Sequence, residues 1–149
     1  VVNRLFDIVQ PTVAIFGAKD FQQVAVIRAM SNELHPTVHI VSLETVRDED
    51  GLALSSRNAR LSNASRLQAQ VIPRALQAIA NLHAQGETCS HVLKSEGLKI
   101  LGSEPNMHVE YLEIVQQDTL NTVVESRDAV VLFAGVLDGV RLIDNQLLQ

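Results

Sequence analysis

The chain has 149 residues, 46% of them hydrophobic and 19% charged, with a formal net charge of −5 at pH 7. That balance describes a soluble globular protein able to bury a core as one domain or two small ones, not a disordered chain. The negative charge argues against a role dominated by the phosphate backbone of nucleic acid. Aromatics make up 3%, so Val, Leu, Ile and Ala must do the packing. The single cysteine, Cys89, cannot form an internal disulfide, and no apolar run is long enough to cross a bilayer. With no signal peptide recognisable, a cytoplasmic protein without a membrane partner is expected.

The opening "VVNRLFDIVQP" sets Val2, Leu5, Phe6 and Val9 at helical spacing and predicts a helix over about 1–9, stopped by Pro11. A chain that begins inside an amphipathic helix, without methionine, is expected to be a fragment or a cleaved product. "TVAIF" follows as a short buried strand. A helix from about Asp20 to Leu34 carries Phe21, Val24, Ile27, Met30 and Leu34 on one side, and "TVHIVSLETV" reads as the next strand. Strand, crossover helix and strand make a parallel βαβ unit, the building block of a doubly wound sheet, whose ligands bind at the carboxyl ends of the strands.

The second stretch is organised differently. A long helical segment is predicted from near Ser62 to Gly86, with a kink or break at Pro73, and another helix near 88–101 ends at Gly102. "MHVEYLEIV", "DAVVLFAGVL" and "VRLIDNQLL" are β-rich, and Asp138-Gly139 is a strong hairpin signal. These elements predict a small α+β domain with an antiparallel sheet, and the boundary falls near 58–62, giving domains 1–58 and 59–149.

Two stretches carry candidate chemistry. In "FGAKDFQQ", residues 16 to 23, Asp20 can cap the following helix with Gln23 at the third position. Capping has no use for Lys19, whose charge beside a helix N-terminus is unfavourable unless an anion binds there. Asp20 could then accept sugar hydroxyls, and Gly17 would admit a ligand close to the backbone. In "DGLALSSRN", residues 50 to 58, two serines and an arginine offer hydroxyls and a planar cationic fork that suit polyphosphate oxygens. In isolation, a plain polar surface loop followed by a cap is the default reading of that stretch. Two phosphate-compatible sites after adjacent strands favour the ligand reading. Arg47, Asp48, Glu49 and Asp50 form a charged cluster, read either as a solvated turn or as a metal site. His35, His39, His83, His91 and His108 show no metal-ligand spacing and are expected to be structural or solvated.

"FGAKDFQQ", then "TVRDEDGLALSSRN", and finally "RLIDN" at 141–145 together resemble the pantothenate synthetase (pantoate–β-alanine ligase) family. The resemblance runs over essentially the whole chain but covers about the second half of a full synthetase. It implies an ATP-dependent ligase that adenylates pantoate, releases pyrophosphate, and passes the acyl group to β-alanine to give pantothenate and AMP. It implies the Rossmann-like fold of HIGH-type nucleotidyltransferases, with "LALSSRN" as a KMSKS-like loop. By position, Lys19 would contact an ATP phosphate and the pantoate carboxylate, Asp20 and Gly17 the ribose, and Gln23 pantoate. Ser55, Ser56 and Arg57 would grip the phosphates, while Phe16, Thr45, Val46 and Leu54 would line the adenine pocket. Family members are homodimers and use Mg²⁺, so both are expected here. Fixed cations and donors around the α-phosphorus would stabilise the charge that develops on its oxygens.

The family's HxGH signature lies outside these residues, so they alone are expected to make little pantothenate. Glu44 stands where the family often has proline. Two other readings remain: a non-catalytic nucleotide-binding or interaction module, and a related ligase that adenylates another carboxylate.

Overall fold

The computed structural model describes residues 1–148. They divide into two units, Val1–Thr45 and the remainder from Val46.

In the first unit, α1 (Val2–Val9) ends at Gln10, whose left-handed backbone (φ 50) lets its N–H bond the carbonyl of Phe6 just before Pro11. Only Phe6 of this helix is buried, and its ring meets His35 edge-on with centroids 5.4 Å apart. Strands β1 (Val13–Gly17) and β2 (His39–Leu43) are parallel and are joined by α2 (Phe21–Leu34), the expected βαβ unit. The stripe that α2 buries is Val24, Ile27 and Ser31. Leu34, expected on that face, is exposed. Ser31 is buried with its hydroxyl satisfied, because Oγ lies 3.2 Å from the carbonyl oxygens of both His35 and Val38, where the chain turns back at Pro36. Strand alternation puts Ala14, Phe16, Ile40 and Ser42 on a half-buried face. Val13, Ile15, Val41 and Leu43 line the other, exposed face.

The second unit begins upstream of the boundary expected near 58–62. Leu52 and Ala53 are buried, and Leu52 belongs to the same apolar cluster as Ile72, Leu76, Leu93 and Phe133, so residues 46–58 pack with the helices and sheet downstream. A short 3-10 turn (Ser56–Arg60) leads into α3 (Asn63–Ala69), α4 (Val71–Ala84) and α5 (Ser90–Leu101). The expected helical break lies at Gln70 rather than at Pro73. A continuous helix would leave the carbonyl of Ala69 facing a proline nitrogen with no hydrogen, so the chain restarts at Val71. That restart puts Pro73 in a first turn, where the N–H has no intrahelical partner anyway. Gly86 (φ 101) stops α4 as expected, with Glu87 N–H bonding the carbonyl of Leu82 and Gly86 N–H that of His83.

Strands β3 (His108–Gln116), β4 (Ala129–Leu137) and β5 (Val140–Leu148) form an antiparallel sheet with β4 in the centre. β4 is buried almost throughout, which accounts for its unbroken apolar sequence. Asp138 (φ 52) and Gly139 (φ 70) are both left-handed, as a two-residue hairpin turn requires. The register of β3 on β4 slips between Val109 and Tyr111, making Glu110 a bulge opposite Gly135. Gly135 is needed there: a Cβ would sit 2.9 Å from the His108 carbonyl oxygen and 2.8 Å from the Phe133 ring.

Candidate active site

The candidate residues fall into two sets, one in each unit. In the first, the parallel pairing continues one residue past β1 and β2, because Ala18 N–H donates to the carbonyl of Leu43 at 2.7 Å. Gly17, half-buried Lys19 and exposed Asp20 therefore lie together at the carboxyl ends of the strands, and Thr45 follows β2 two residues on. Asp20 caps α2, its Oδ1 accepting the backbone N–H of Gln23 at 3.2 Å. The cap occupies the Gln23 backbone and leaves its exposed side chain to other work. Gly17 has no folding reason to be glycine. Its φ is not left-handed, and an added Cβ would meet nothing within 4 Å. Open space beside a strand end is what a ligand needs to reach the backbone. Phe16, the last apolar residue of β1, is half-buried opposite Ser42.

In the second set, residues 46–54 form a small hairpin. Val46 accepts from Leu54 N–H at 2.9 Å, Asp48 N–H donates to Leu52, and Arg47 bridges Ala53. Val46 and Leu54, both exposed, are thereby brought side by side. The next residues make a loop with a closed base. Asn58, buried, donates its Nδ2 hydrogen to the carbonyl of Ala53 at 3.0 Å, and its N–H bonds the carbonyl of Ser55. Within the loop Ser55 Oγ accepts the N–H of Arg57 at 3.2 Å. Ser56 and Arg57 are exposed and Ser55 is half-buried. Two hydroxyls and a guanidinium are thus held on a short, backbone-bonded loop, an arrangement suited to anionic oxygens.

In the charged cluster before this loop, Arg47, Asp48 and Asp50 are engaged in ion pairs, and Glu49 is exposed. Arg47 forks onto the buried carboxylate of Asp144, with Nη1 to Oδ2 at 2.7 Å and Nη2 to Oδ1 at 3.0 Å. It also donates to the carbonyls of Gly51 and Asn145. Asp48 and Asp50 both face Arg66 on α3, and Asp50 Oδ1 accepts Leu52 N–H. The hydrogen bond that Arg66 donates to Asp48, with the charges of both aspartates, lifts the Arg66 guanidinium above its ordinary range despite partial desolvation. Among the described residues no group of three or more His, Cys, Asp or Glu could hold a metal ion. Nor is a helix among them long and apolar enough to cross a membrane. A cavity of about 300 Å³ is lined by Arg47, Asp50, Gly51, Pro73, Arg74 and Gln146, among others, and Ser55, Ser56 and Arg57 are not part of its lining.

Sequence reasoning did not single out Arg66 or Asp144 or the pinning role of Asn58. The one available signal for Asp144 was its place inside "RLIDN", a pattern too short to reveal a partner far away in the sequence.

A sequence model of the pantoate-beta-alanine ligase family matches residues 1–147. A pantothenate synthetase from Geotalea uraniireducens is 42% identical over 149 residues, covering 99% of this chain and 53% of its own. The crystal structure of pantothenate synthetase from Thermus thermophilus superposes with a TM-score of 0.93 at 42% identity, covering 97% of this chain and 52% of the other. A pantoate-beta-alanine ligase from Francisella tularensis, solved in complex with beta-gamma ATP and beta-alanine, is 26% identical with a TM-score of 0.67, over 98% of this chain and 47% of that one. The chain thus spans about half the length of these synthetases. With the family motifs in order, and with the parallel βαβ unit and the antiparallel sheet in place, the chain belongs to the pantoate–β-alanine ligase family.

Proposed function

We propose that this chain supplies ATP-phosphate and pantoate contacts for a ligase that condenses pantoate with β-alanine through a pantoyl adenylate. The observation that carries this reading is the loop Ser55–Arg57, pinned at its base by Asn58 with its cationic fork turned to solvent. The Francisella relative, solved with an ATP analogue and β-alanine, supports the substrate assignment. Lys19, Ser55, Ser56 and Arg57 offset negative charge on the phosphates during attack on the α-phosphorus, the step that such fixed donors accelerate most. Lys19 also holds the pantoate carboxylate and Gln23 its hydroxyl groups. Asp20 and Gly17 receive the ribose, while Phe16, Thr45, Val46 and Leu54 take the adenine. No protein residue need act as nucleophile, because the pantoate carboxylate attacks.

Residues 1–58 serve the nucleotide, Val1–Thr45 from the first unit and 46–58, with the KMSKS-like loop, from the second, whose remaining residues act as a small lid-like body. The donor set is made of hydroxyls and cations, not of metal ligands, so Mg²⁺ arrives on the phosphates of ATP, as it commonly does. The enzyme works as a cytoplasmic homodimer. The exposed apolar sheet face of Val13, Ile15, Val41 and Leu43 is covered by the part of the family fold beyond these residues, since parallel sheets are covered on both faces.

Calorimetric titration of the 149-residue chain with ATP and Mg²⁺ tests the reading. Lys19→Ala and Arg57→Ala are each expected to weaken binding about ten- to hundredfold, the loss typical of a charge-assisted hydrogen bond. Failure of the unaltered chain to bind ATP rejects it. Pantoate-dependent exchange of pyrophosphate into ATP is expected to be slow, because no His-x-Gly-His lies among these residues; robust exchange would show that the signature is dispensable.

A further inference from the structure

Arg47 and Asp144 are 97 residues apart in sequence, and neither belongs to the set that contacts substrate. Asp144 lies in β5 with a side chain 2% exposed, and both its oxygens are engaged: Oδ2 by Arg47 Nη1, and Oδ1 by Arg47 Nη2 and by Asn145 N–H at 2.8 Å. Arg47 spends its other contacts on the carbonyls of Gly51 and Asn145, so one guanidinium ties both arms of the 46–54 hairpin to a strand of the core sheet. From Arg47 the connection is short and continuous. Arg47 bridges Ala53, the Ala53 carbonyl receives Asn58 Nδ2, and Asn58 N–H closes onto the carbonyl of Ser55. Ser55, Ser56 and Arg57 therefore hang from a frame whose anchor is the Arg47–Asp144 fork. A bidentate, largely buried pair fixes direction as well as distance, unlike a flexible surface pair.

We propose that Arg47 and Asp144 are positioning residues, which hold the Ser55–Arg57 loop in its anion-binding shape by clamping its hairpin to β5. The proposal rests on the ATP reading above. It has one consequence that is independent of that reading: loosening the clamp must free the loop while the sheet stays formed.

Asp144→Asn keeps the size of the side chain and removes its charge, and Arg47→Lys keeps the charge and removes the fork. Amide hydrogen exchange across the full chain is measured first. Both variants are expected to speed exchange at 54–58 at least tenfold, with β3 and β4 unchanged. Unchanged exchange at 54–58, or acceleration spread evenly through the second unit, overturns the proposal. ATP titration then gives the coupling. Asp144→Asn is expected to weaken ATP binding roughly tenfold or more, as misplaced binding groups do. In an Arg57→Ala background it should weaken binding much less, because the clamp acts through that residue. Equal effects in both backgrounds, or an unchanged affinity, overturn the positioning role. If the unaltered chain binds no ATP, the nucleotide reading fails, and the clamp is judged on selective exchange alone.

Discussion

Ser65 and Asp138 meet across 73 residues of sequence: the hydroxyl on the first turn of α3 donates to Asp138 Oδ2 at 2.8 Å, at the tip of the β4–β5 hairpin. Ser62, the N-cap of α3, completes the group, its Oγ 2.7 Å from Ser65 Oγ and accepting Ser65 N–H at 3.1 Å. The contact fixes the start of a short helix to a turn whose strained residue is itself left-handed. Ser65→Ala removes the bond and leaves a carboxylate oxygen without that donor. It is expected to lower stability by about 1 to 2 kcal/mol in urea titration, and an unchanged midpoint would show that water replaces the serine at no loss.

Two glycines separate folding from function. Gly135→Ala drives a methyl against a neighbouring backbone oxygen and a core phenylalanine, which cannot yield without moving β3. A loss of about 1 to 3 kcal/mol is expected from such overpacking, read from the thermal midpoint. Gly17→Ala meets nothing, so its stability should stay within about 0.5 kcal/mol of the parent. On the proposed role of Gly17 its ATP affinity should nevertheless fall, because the methyl would occupy the space assigned to the approaching ribose. An alanine variant that binds ATP as tightly as the parent would remove Gly17 from the site.

The cap at Asp20 and the side chain of Gln23 can likewise be told apart. Asp20→Ala is expected to lose about 1 kcal/mol through loss of the cap, and Asp20→Asn to retain most of it, because an amide oxygen can still accept Gln23 N–H. Gln23→Ala keeps the capping bond, which uses its backbone, and should alter pantoate dependence without changing the melting curve. Destabilisation by Gln23→Ala would point to a structural role for that amide.

What the sequence determined was local. Hydrophobic period distinguished helix from strand, Pro11 and Gly86 marked helix ends, and Asp138-Gly139 specified a hairpin, because each depends on sterics and hydrogen bonds within a few residues. The ordered motifs around Lys19, Arg57 and Asp144 were legible for the same reason, as short strings. Tertiary structure decided the partners. Nothing near Asp48 reveals that Arg66 will neutralise it, and nothing near Arg47 points to β5, because those pairs depend on how α3 and the sheet pack. The same packing moved the division of the chain to Thr45 by burying Leu52. It also buried Ser31, whose hydroxyl reaches two carbonyls, and left Leu34 exposed where periodicity had put it on the buried side. Burial is settled by all the neighbours a residue meets, and a linear pattern records only those adjacent along the chain.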